Sequence, residues 1–239
     1  MKRILCGFGT VLFALGLLVP AGAAPIIIDD FSTPSSGQGA FPGTGILAGE
    51  RDVITGGSST FTAGGGSGTA ALGTGLTSTF VMLDYDGLDG STATVFLLGG
   101  LDITNGGLLD RFQIEITAVT GTVRTTVRVA EDLQTIDDYT ERWIDISSPG
   151  TYEILFSAFS PAANVDFESV ERMFLRFNLD AEESITVSGF SIVGDPNAGN
   201  GNGNGNGNGP APIPEPSTVA LLGLGLAAVE VVRRRRQNA

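Results

Sequence analysis

Between Ile26 and Val193 the apolar residues recur at every second position, in short runs that glycines interrupt. Phe112, Ile114 and Ile116, for example, alternate with polar residues. A period of two places the apolar side chains on one face of a β-strand. No segment keeps a helical period beyond a turn or two. The pattern therefore predicts an all-β domain.

The order of the predicted strands favours an antiparallel β-sandwich of the jelly-roll type. Thr120-Gly121 separates the alternating run that begins at Phe112 from the run Val123–Val129, which predicts a tight hairpin. The first and last predicted strands are expected to pair edge to edge. Residues 24–195 are enough for one sizeable core. The remaining predicted strands are Ile26–Phe31, Ser78–Leu83, Thr92–Leu98, Tyr152–Phe156, Met173–Leu179 and Ile185–Val193.

Residues 1–23 have the organisation of a signal peptide. Lys2 and Arg3 give a basic start, an apolar run extends from Ile4 to Val19, and small residues follow. Cleavage is expected after Ala23, and an uncleaved membrane anchor is the alternative. The exported domain would then comprise residues 24–195.

Removal of the signal peptide excludes several kinds of chemistry. The chain has no His, and its single Cys (Cys6) and single Lys (Lys2) both lie within residues 1–23. The exported domain therefore has no disulfide, no Ser-His-Asp triad, no Cys nucleophile, no lysine Schiff base and no His- or Cys-ligated zinc. Any active or binding site must use carboxylates, hydroxyls, amides, arginines or aromatic rings.

The exported part is strongly acidic. Between Ala24 and Ile213 seven Arg face 24 Asp and Glu residues, a net charge of −17. A nucleic acid is therefore not an expected partner, since a phosphate backbone requires a basic face. Cations, neutral glycans and other matrix components are compatible with this charge, which by itself also keeps a protein soluble.

The C-terminal residues form an ordered series of distinct segments. Residues 196–213 are rich in Gly and Asn and predict a flexible linker. An apolar stretch, Val219–Val232, predicts a membrane helix shorter than the usual span of about 20 residues. A basic cluster follows and is expected on the cytoplasmic side. The flanking motifs are Pro214, Glu215 and Pro216 before the helix, and Arg233, Arg234, Arg235 and Arg236 after it.

This order over residues 214–239 resembles the PEP-CTERM sorting domain. The resemblance implies recognition of the Pro-Glu-Pro motif by the membrane enzyme exosortase in a Gram-negative bacterium that builds extracellular polysaccharide. It also implies a transient stay in the inner membrane and then a location at the cell surface or outside the cell. Signal peptidase and exosortase are the expected partners during export. A permanent tail anchor is the alternative.

Asp84, Asp86 and Asp89 lie close together in the sequence, with Gly87 and Gly90 available for turning. Clustered carboxylate oxygens suit Ca²⁺, although the spacing is not that of an EF-hand. The segment therefore predicts either a calcium site or an acidic, solvated turn. Ca²⁺ is the one cofactor that the sequence suggests.

Tyr139 and Trp143 are four residues apart and would project from the same face of a strand. Aromatic rings in that arrangement suit stacking on sugars, whereas a single tryptophan in a sandwich also suits core packing. Two functions therefore stay open. One is a non-enzymatic surface or matrix protein that binds extracellular polysaccharide, and the other is a polysaccharide-active enzyme that uses carboxylates alone.

Overall fold

The computed structural model of the protein describes residues 23–75, 77–92, 98–131, 139–159 and 165–195. The predicted linker, the sorting signal, residues 1–22 of the predicted signal peptide and residues 93–97 of the predicted strand Thr92–Leu98 lie outside these ranges. Within the described ranges the regular structure is β-strand, apart from single turns of 3-10 helix at Leu47–Gly49 and Phe156–Ala158. Within the same ranges, no helix is long and apolar enough to cross a membrane.

The strands form two antiparallel sheets. The strands of sheet A are β1 (Ile26–Asp29), β2 (Ser35–Ser36), β5 (Thr60–Gly64), β6 (Ser67–Ala71), β8 (Arg111–Thr120), β11 (Gly150–Leu155) and β13 (Ser184–Val193). The strands of sheet B are β3 (Gly39–Pro42), β4 (Glu50–Thr55), β7 (Thr79–Tyr85), β9 (Val123–Ala130), β10 (Tyr139–Ile146) and β12 (Arg172–Leu179). In sheet A the order is β11-β8-β13-β6-β5-β2, with β1 also paired to β13, and in sheet B it is β10-β9-β12-β7-β4-β3.

The core lies between the two sheets. Phe112 and Phe190 project into it from sheet A and stack at 5.8 Å between ring centroids. Leu175 and Phe177 of β12 enter the same buried cluster from sheet B. Alternate residues of the longer strands of both sheets are buried in this core, which confirms the predicted alternation and the predicted β-sandwich. The finer assignment to a jelly roll stays a prediction.

The predicted hairpin at Thr120-Gly121 is wrong. The strand before this turn, β8, pairs with β11 and β13 in sheet A, whereas β9 pairs with β10 and β12 in sheet B. The turn therefore carries the chain from one sheet to the other, and Gly121 takes a φ of +82° in it. Two alternating runs bury their apolar residues equally well as neighbours in one sheet or as strands that face each other across a core.

The predicted pairing of the first and last strands is confirmed. Ile26 of β1 lies opposite Ile192 of β13 in antiparallel register. The last strand is not at an edge, however, since β13 lies between β8 and β6. β1 pairs with the later half of β13, beyond the residues that β6 occupies.

Candidate binding sites on the outer face of sheet B

The outer face of sheet B, the side turned away from the core, carries both groups of residues that the sequence suggested. Residues paired across strands project to the same side of a sheet. One such row runs across five strands and contains Asp52, Asp84, Phe174, Arg128 and Glu141. One end of this face is acidic, and the other combines arginine with aromatic rings.

The acidic cluster consists of five carboxylates on β4, on β7 and in the loop that follows β7. Three of them, Glu50, Asp52 and Asp89, each offer an oxygen, and these oxygens all lie within 4.8 Å of one another. The other two members are Asp84 and Asp86, both buried. The fold thus gathers the predicted Asp84, Asp86 and Asp89 together with two acids from β4 that the sequence analysis did not name.

The Asp84 carboxylate forms an ion pair with an arginine side chain. The Arg172 side chain donates to both of its carboxylate oxygens, with Nε at 2.9 Å from Oδ1, and the two groups form a buried ion pair. The Arg172 guanidinium also lies over the Phe174 ring, 4.1 Å from its centroid. Burial raises the pKa of Asp84, and the bonds from Arg172 oppose that rise. Arg172 thus counters one of the five carboxylates, and the role of Asp84 as a calcium ligand stays a prediction.

Asp52 has no such partner. Its side chain is only 1% exposed, and within the described part of the chain neither carboxylate oxygen accepts a hydrogen bond. Burial, together with the negative charges of Asp86 and Glu50, raises the pKa of Asp52 to about 8. A buried carboxylate without a donor is costly, since it loses its hydration without compensation. Asp52 is therefore the least satisfied polar group of the cluster.

The loop after β7 is hydrogen-bonded to β4 within this cluster. The backbone N–H of Gly90 donates to both carboxylate oxygens of Glu50, at 3.0 and 3.2 Å. Asp89 Oδ1 accepts the backbone N–H of Ser91 at 2.8 Å. These bonds hold Asp89 beside the strand that carries Glu50 and Asp52. Each of the two bonded carboxylates keeps further lone pairs for another ligand.

The arginine–aromatic patch lies at the β9–β10 end of the same face. Tyr139 and Trp143 project from one side of β10, as the spacing predicted, and Trp143 is 46% exposed. Trp143 therefore does not pack in the core. The Arg124 guanidinium lies 4.2 Å from the Trp143 ring centroid, and that of Arg128 lies 3.9 Å from the Tyr139 centroid. Whether these rings stack on sugars stays a prediction.

Arg176, on β12, differs from its neighbours on this patch. Arg124 pairs with Asp145 and Arg128 with Glu141. For Arg176 the described residues include no carboxylate within 4.0 Å, and its buried Nε has no hydrogen-bond partner among them. Its guanidinium lies over the Phe80 ring at 4.3 Å. Burial and the neighbouring Arg128 charge lower the pKa of Arg176.

A second polar network lies inside the sandwich and is separated from the outer face by sheet B. The carboxylate of Asp29, on β1, accepts hydrogen bonds from Arg51 Nη1 at 2.6 Å and from the Tyr85 hydroxyl at 3.0 Å. All three side chains are fully buried. Arg51 also donates to Ser35 Oγ and to the Thr33 carbonyl. Asp29 is thus engaged in the core and is not a member of the acidic cluster.

Sequence reasoning missed Glu50, Asp52 and Arg176. The alternation Glu50-Arg51-Asp52 contains a signal for the first two, because on a strand both acids project to one side and Arg51 to the other. Nothing in the sequence placed this strand beside Asp84. Arg176 stands in a run whose apolar residues dominate the pattern.

Residues 212–236 match the family model of the PEP-CTERM protein-sorting motif. The chain carries a PEP-CTERM sorting motif. The match covers the predicted Pro-Glu-Pro motif, the apolar segment and the basic cluster, and it is consistent with an exosortase substrate. A PEP-CTERM motif implies export and sorting to the cell surface of a Gram-negative bacterium. A comparison with curated proteins found no match.

Solved structures with some similarity are carbohydrate-binding modules. The solution structure of CtCBM11 is 16% identical, with a TM-score of 0.38, over 77% of this chain and 99% of that one. The family 11 module of Clostridium thermocellum in complex with a β-1,3-1,4-mixed-linked tetrasaccharide is 15% identical, with a TM-score of 0.35, over 71% and 95%. TmCBM61 in complex with β-1,4-galactotriose is 10% identical, with a TM-score of 0.30, over 61% and 82%. At these scores the similarity carries no conclusion about a ligand.

Proposed function

We propose that this protein is an exported, exosortase-processed surface protein whose β-sandwich binds an acidic polysaccharide without catalysis. The sorting motif at residues 212–236 supports the first half of the proposal. In it, residues 1–23 direct export, residues 196–213 are a linker, and Pro214, Glu215 and Pro216 are the recognised sequence. Val219–Val232 holds the chain in the inner membrane until processing, with Arg233–Arg236 on the cytoplasmic side.

The observation that carries the binding proposal is the pairing of an exposed ring with an unneutralised cation on one face. Trp143, Thr126 and Arg176 are consecutive residues of one row across sheet B. Neighbouring strands lie about 4.8 Å apart, so the Trp143 and Arg176 backbones are separated by about 10 Å. An aromatic face stacks on the apolar side of a sugar ring, and a guanidinium binds a carboxylate with two parallel hydrogen bonds. A polymer of sugars that carry carboxylates satisfies both groups.

The position of Arg176 supports an anionic ligand in spite of the −17 total. Arg124, Arg128 and Arg172 project from the same outer face of sheet B, but each forms an ion pair with a carboxylate. Arg176 is therefore the arginine of this face that we expect to bind an acidic group of the ligand. Such an interaction weakens as salt screens it.

Sorting is tested by replacing Pro214, Glu215 and Pro216 with alanine in the host bacterium. The full-length protein should accumulate in the inner membrane, as seen by cell fractionation and by intact mass. The matched control replaces Asn202, Asn204 and Asn206 of the linker with alanine and should be processed normally. Normal release of the motif variant would contradict sorting, and release of neither protein would favour a permanent anchor.

Binding is tested with polygalacturonate as the acidic polymer and mixed-linked β-glucan as the neutral one. Affinity electrophoresis should show retardation by polygalacturonate that decreases with NaCl. Trp143→Ala and Arg176→Gln should each weaken it at least fivefold, whereas the controls Leu155→Ala and Arg111→Gln on sheet A should not. Equal retardation of all variants would contradict the proposal. Release of reducing sugar from either polymer would favour the enzyme alternative.

A further inference from the structure

The acidic cluster holds buried negative charge, and the sugar binding proposed for the arginine–aromatic patch gives this charge no role. Glu50 and Asp52 are each 1% exposed, and Asp86 is as deeply buried beside them. Repulsion between these closely spaced carboxylates adds to the loss of hydration. Within the described part of the chain, none of Glu50, Asp52 and Asp89 forms an ion pair with an arginine. These three carboxylates therefore have no counter-charge from a described side chain.

The geometry points to a divalent cation, Ca²⁺, held between Glu50, Asp52 and Asp89. Ca²⁺ binds oxygens at about 2.3–2.6 Å, so two oxygens bound to the same ion lie at most about 5 Å apart. The three carboxylate oxygens meet this condition, since all lie within 4.8 Å of one another. Mg²⁺ demands near-ideal octahedral geometry and usually keeps several waters, whereas Ca²⁺ accepts irregular sets of carboxylate oxygens. A site built from three carboxylates of two different segments therefore favours Ca²⁺.

The unpartnered Asp52 carboxylate distinguishes this arrangement from an ordinary acidic surface. Exposed carboxylates are satisfied by water, whereas Asp52 is buried with both oxygens free of donors in the described residues. Glu50 and Asp89, by contrast, accept backbone N–H groups that fix their positions. Glu50 and Asp89 are thus held in place by hydrogen bonds, whereas the buried Asp52 carboxylate has neither a hydrogen-bond donor nor a counter-charge among the described residues. A cation in this position supplies the counter-charge.

The ion would join parts of the chain that are far apart in sequence. Glu50 and Asp52 lie on β4, whereas Asp89 lies in the loop after β7. The bond from Gly90 N–H to Glu50 already spans 40 residues, and the ion would add a second link at the same place. Because binding requires the assembled cluster, Ca²⁺ should stabilise the folded state and fix this loop against the outer face. This role does not depend on the proposed glycan binding.

The test uses the full-length protein in mild detergent, stripped with chelator and returned to chelator-free buffer. Titration calorimetry with CaCl₂ should show one site per chain that dominates the heat. Asp52→Asn should weaken binding at least tenfold, whereas Glu115→Gln, which removes an equal charge from the outward side of β8 in sheet A, should change it less than twofold. Thermal unfolding should shift upward with Ca²⁺ in the wild type and in Glu115→Gln, and should not shift in Asp52→Asn.

The test includes a second variant and two salt controls. If Asp52→Asn is not folded by circular dichroism, Asp89→Asn, in the more accessible loop, must show the same loss of calcium affinity. Mg²⁺ at equal concentration and NaCl at equal ionic strength measure general screening of the acidic surface. Equal shifts from all three salts, or unchanged calcium affinity in Asp52→Asn and Asp89→Asn, would overturn the proposed site.

Discussion

Arg51 shows how much a single side chain can contribute to joining the two sheets. It projects from β4 into the core, where it donates a hydrogen bond to Asp29 of β1, and its guanidinium lies 5.4 Å from the Phe31 ring centroid. Tyr85 and Ser35 complete the network. A buried ion pair adds little stability over a well-packed apolar pair, but removing one partner leaves the other as an unpaired buried charge.

We therefore expect Arg51→Ala to lower the free energy of unfolding by about 3–5 kcal/mol, because Asp29 would remain buried without its counter-charge. Urea denaturation followed by circular dichroism measures this loss. The matched variant Arg124→Ala breaks the exposed pair with Asp145 and should cost about 1 kcal/mol or less. Similar losses in the two variants would contradict the importance of the internal pair.

At the scale of the strand, β6 illustrates how a glycine-rich segment takes part in the sandwich. Gly68 faces the core opposite Val187 of β13 and Ala63 of β5. A Cβ atom at this position would lie 2.8 Å from ring carbons of both Phe31 and Phe61. The absence of a side chain thus allows these two rings to pack against the β6 backbone. Glycine here is a packing residue and not a turn residue.

Gly68→Ala should consequently destabilise the domain by about 1–3 kcal/mol, as expected when a methyl group is forced into a filled core. The midpoint of urea denaturation should fall with an unchanged slope. Ser67→Ala, one position earlier in the same strand, provides the comparison and should change stability by no more than about 0.5 kcal/mol. A neutral effect of Gly68→Ala would show that the two rings have room to move.

At the scale of the molecule, the sandwich is expected to be a self-sufficient folding unit. Both sheets contribute to one core cluster, and the first strand is paired with the last. The described residues between 23 and 195 also belong to one compact unit. The first strand, β1, and the last, β13, both belong to sheet A. A fragment that lacks either strand would therefore leave backbone groups of its neighbours without hydrogen-bond partners.

A fragment of residues 25–196 should therefore be soluble, monomeric or uniformly oligomeric, and β-rich by circular dichroism. Since it contains no Cys, a reducing agent should not change its unfolding temperature. A fragment that ends at residue 183, and so lacks β13, is the control and should fail to fold. A helical spectrum of the longer fragment, or cooperative folding of the shorter one, would contradict this view of the domain.

Properties that depend on near neighbours along the chain could be predicted without the fold. Alternation at Phe112–Ile116 and Met173–Leu179 sufficed for strands, and the order of motifs from Pro214 onward sufficed for the sorting signal, because both are local patterns. The placement of Tyr139 and Trp143 on one face followed from their spacing. The lack of His, and of Cys after the signal peptide, excluded whole classes of site without any structure.

Which strands are neighbours could not be predicted, because strand pairing joins residues far apart in the sequence. An alternation with a period of two indicates which residues share a face, but not which sheet a strand joins. For that reason the Thr120-Gly121 turn was predicted to be a hairpin, whereas it carries the chain from one sheet to the other. The strands β4, β5 and β6 are short or rich in Gly, Ser and Thr, and gave too little apolar signal to be predicted. For the same reason the meeting of Glu50 and Asp52 with Asp89 had no trace in the sequence, since it depends on the pairing of β4 with β7.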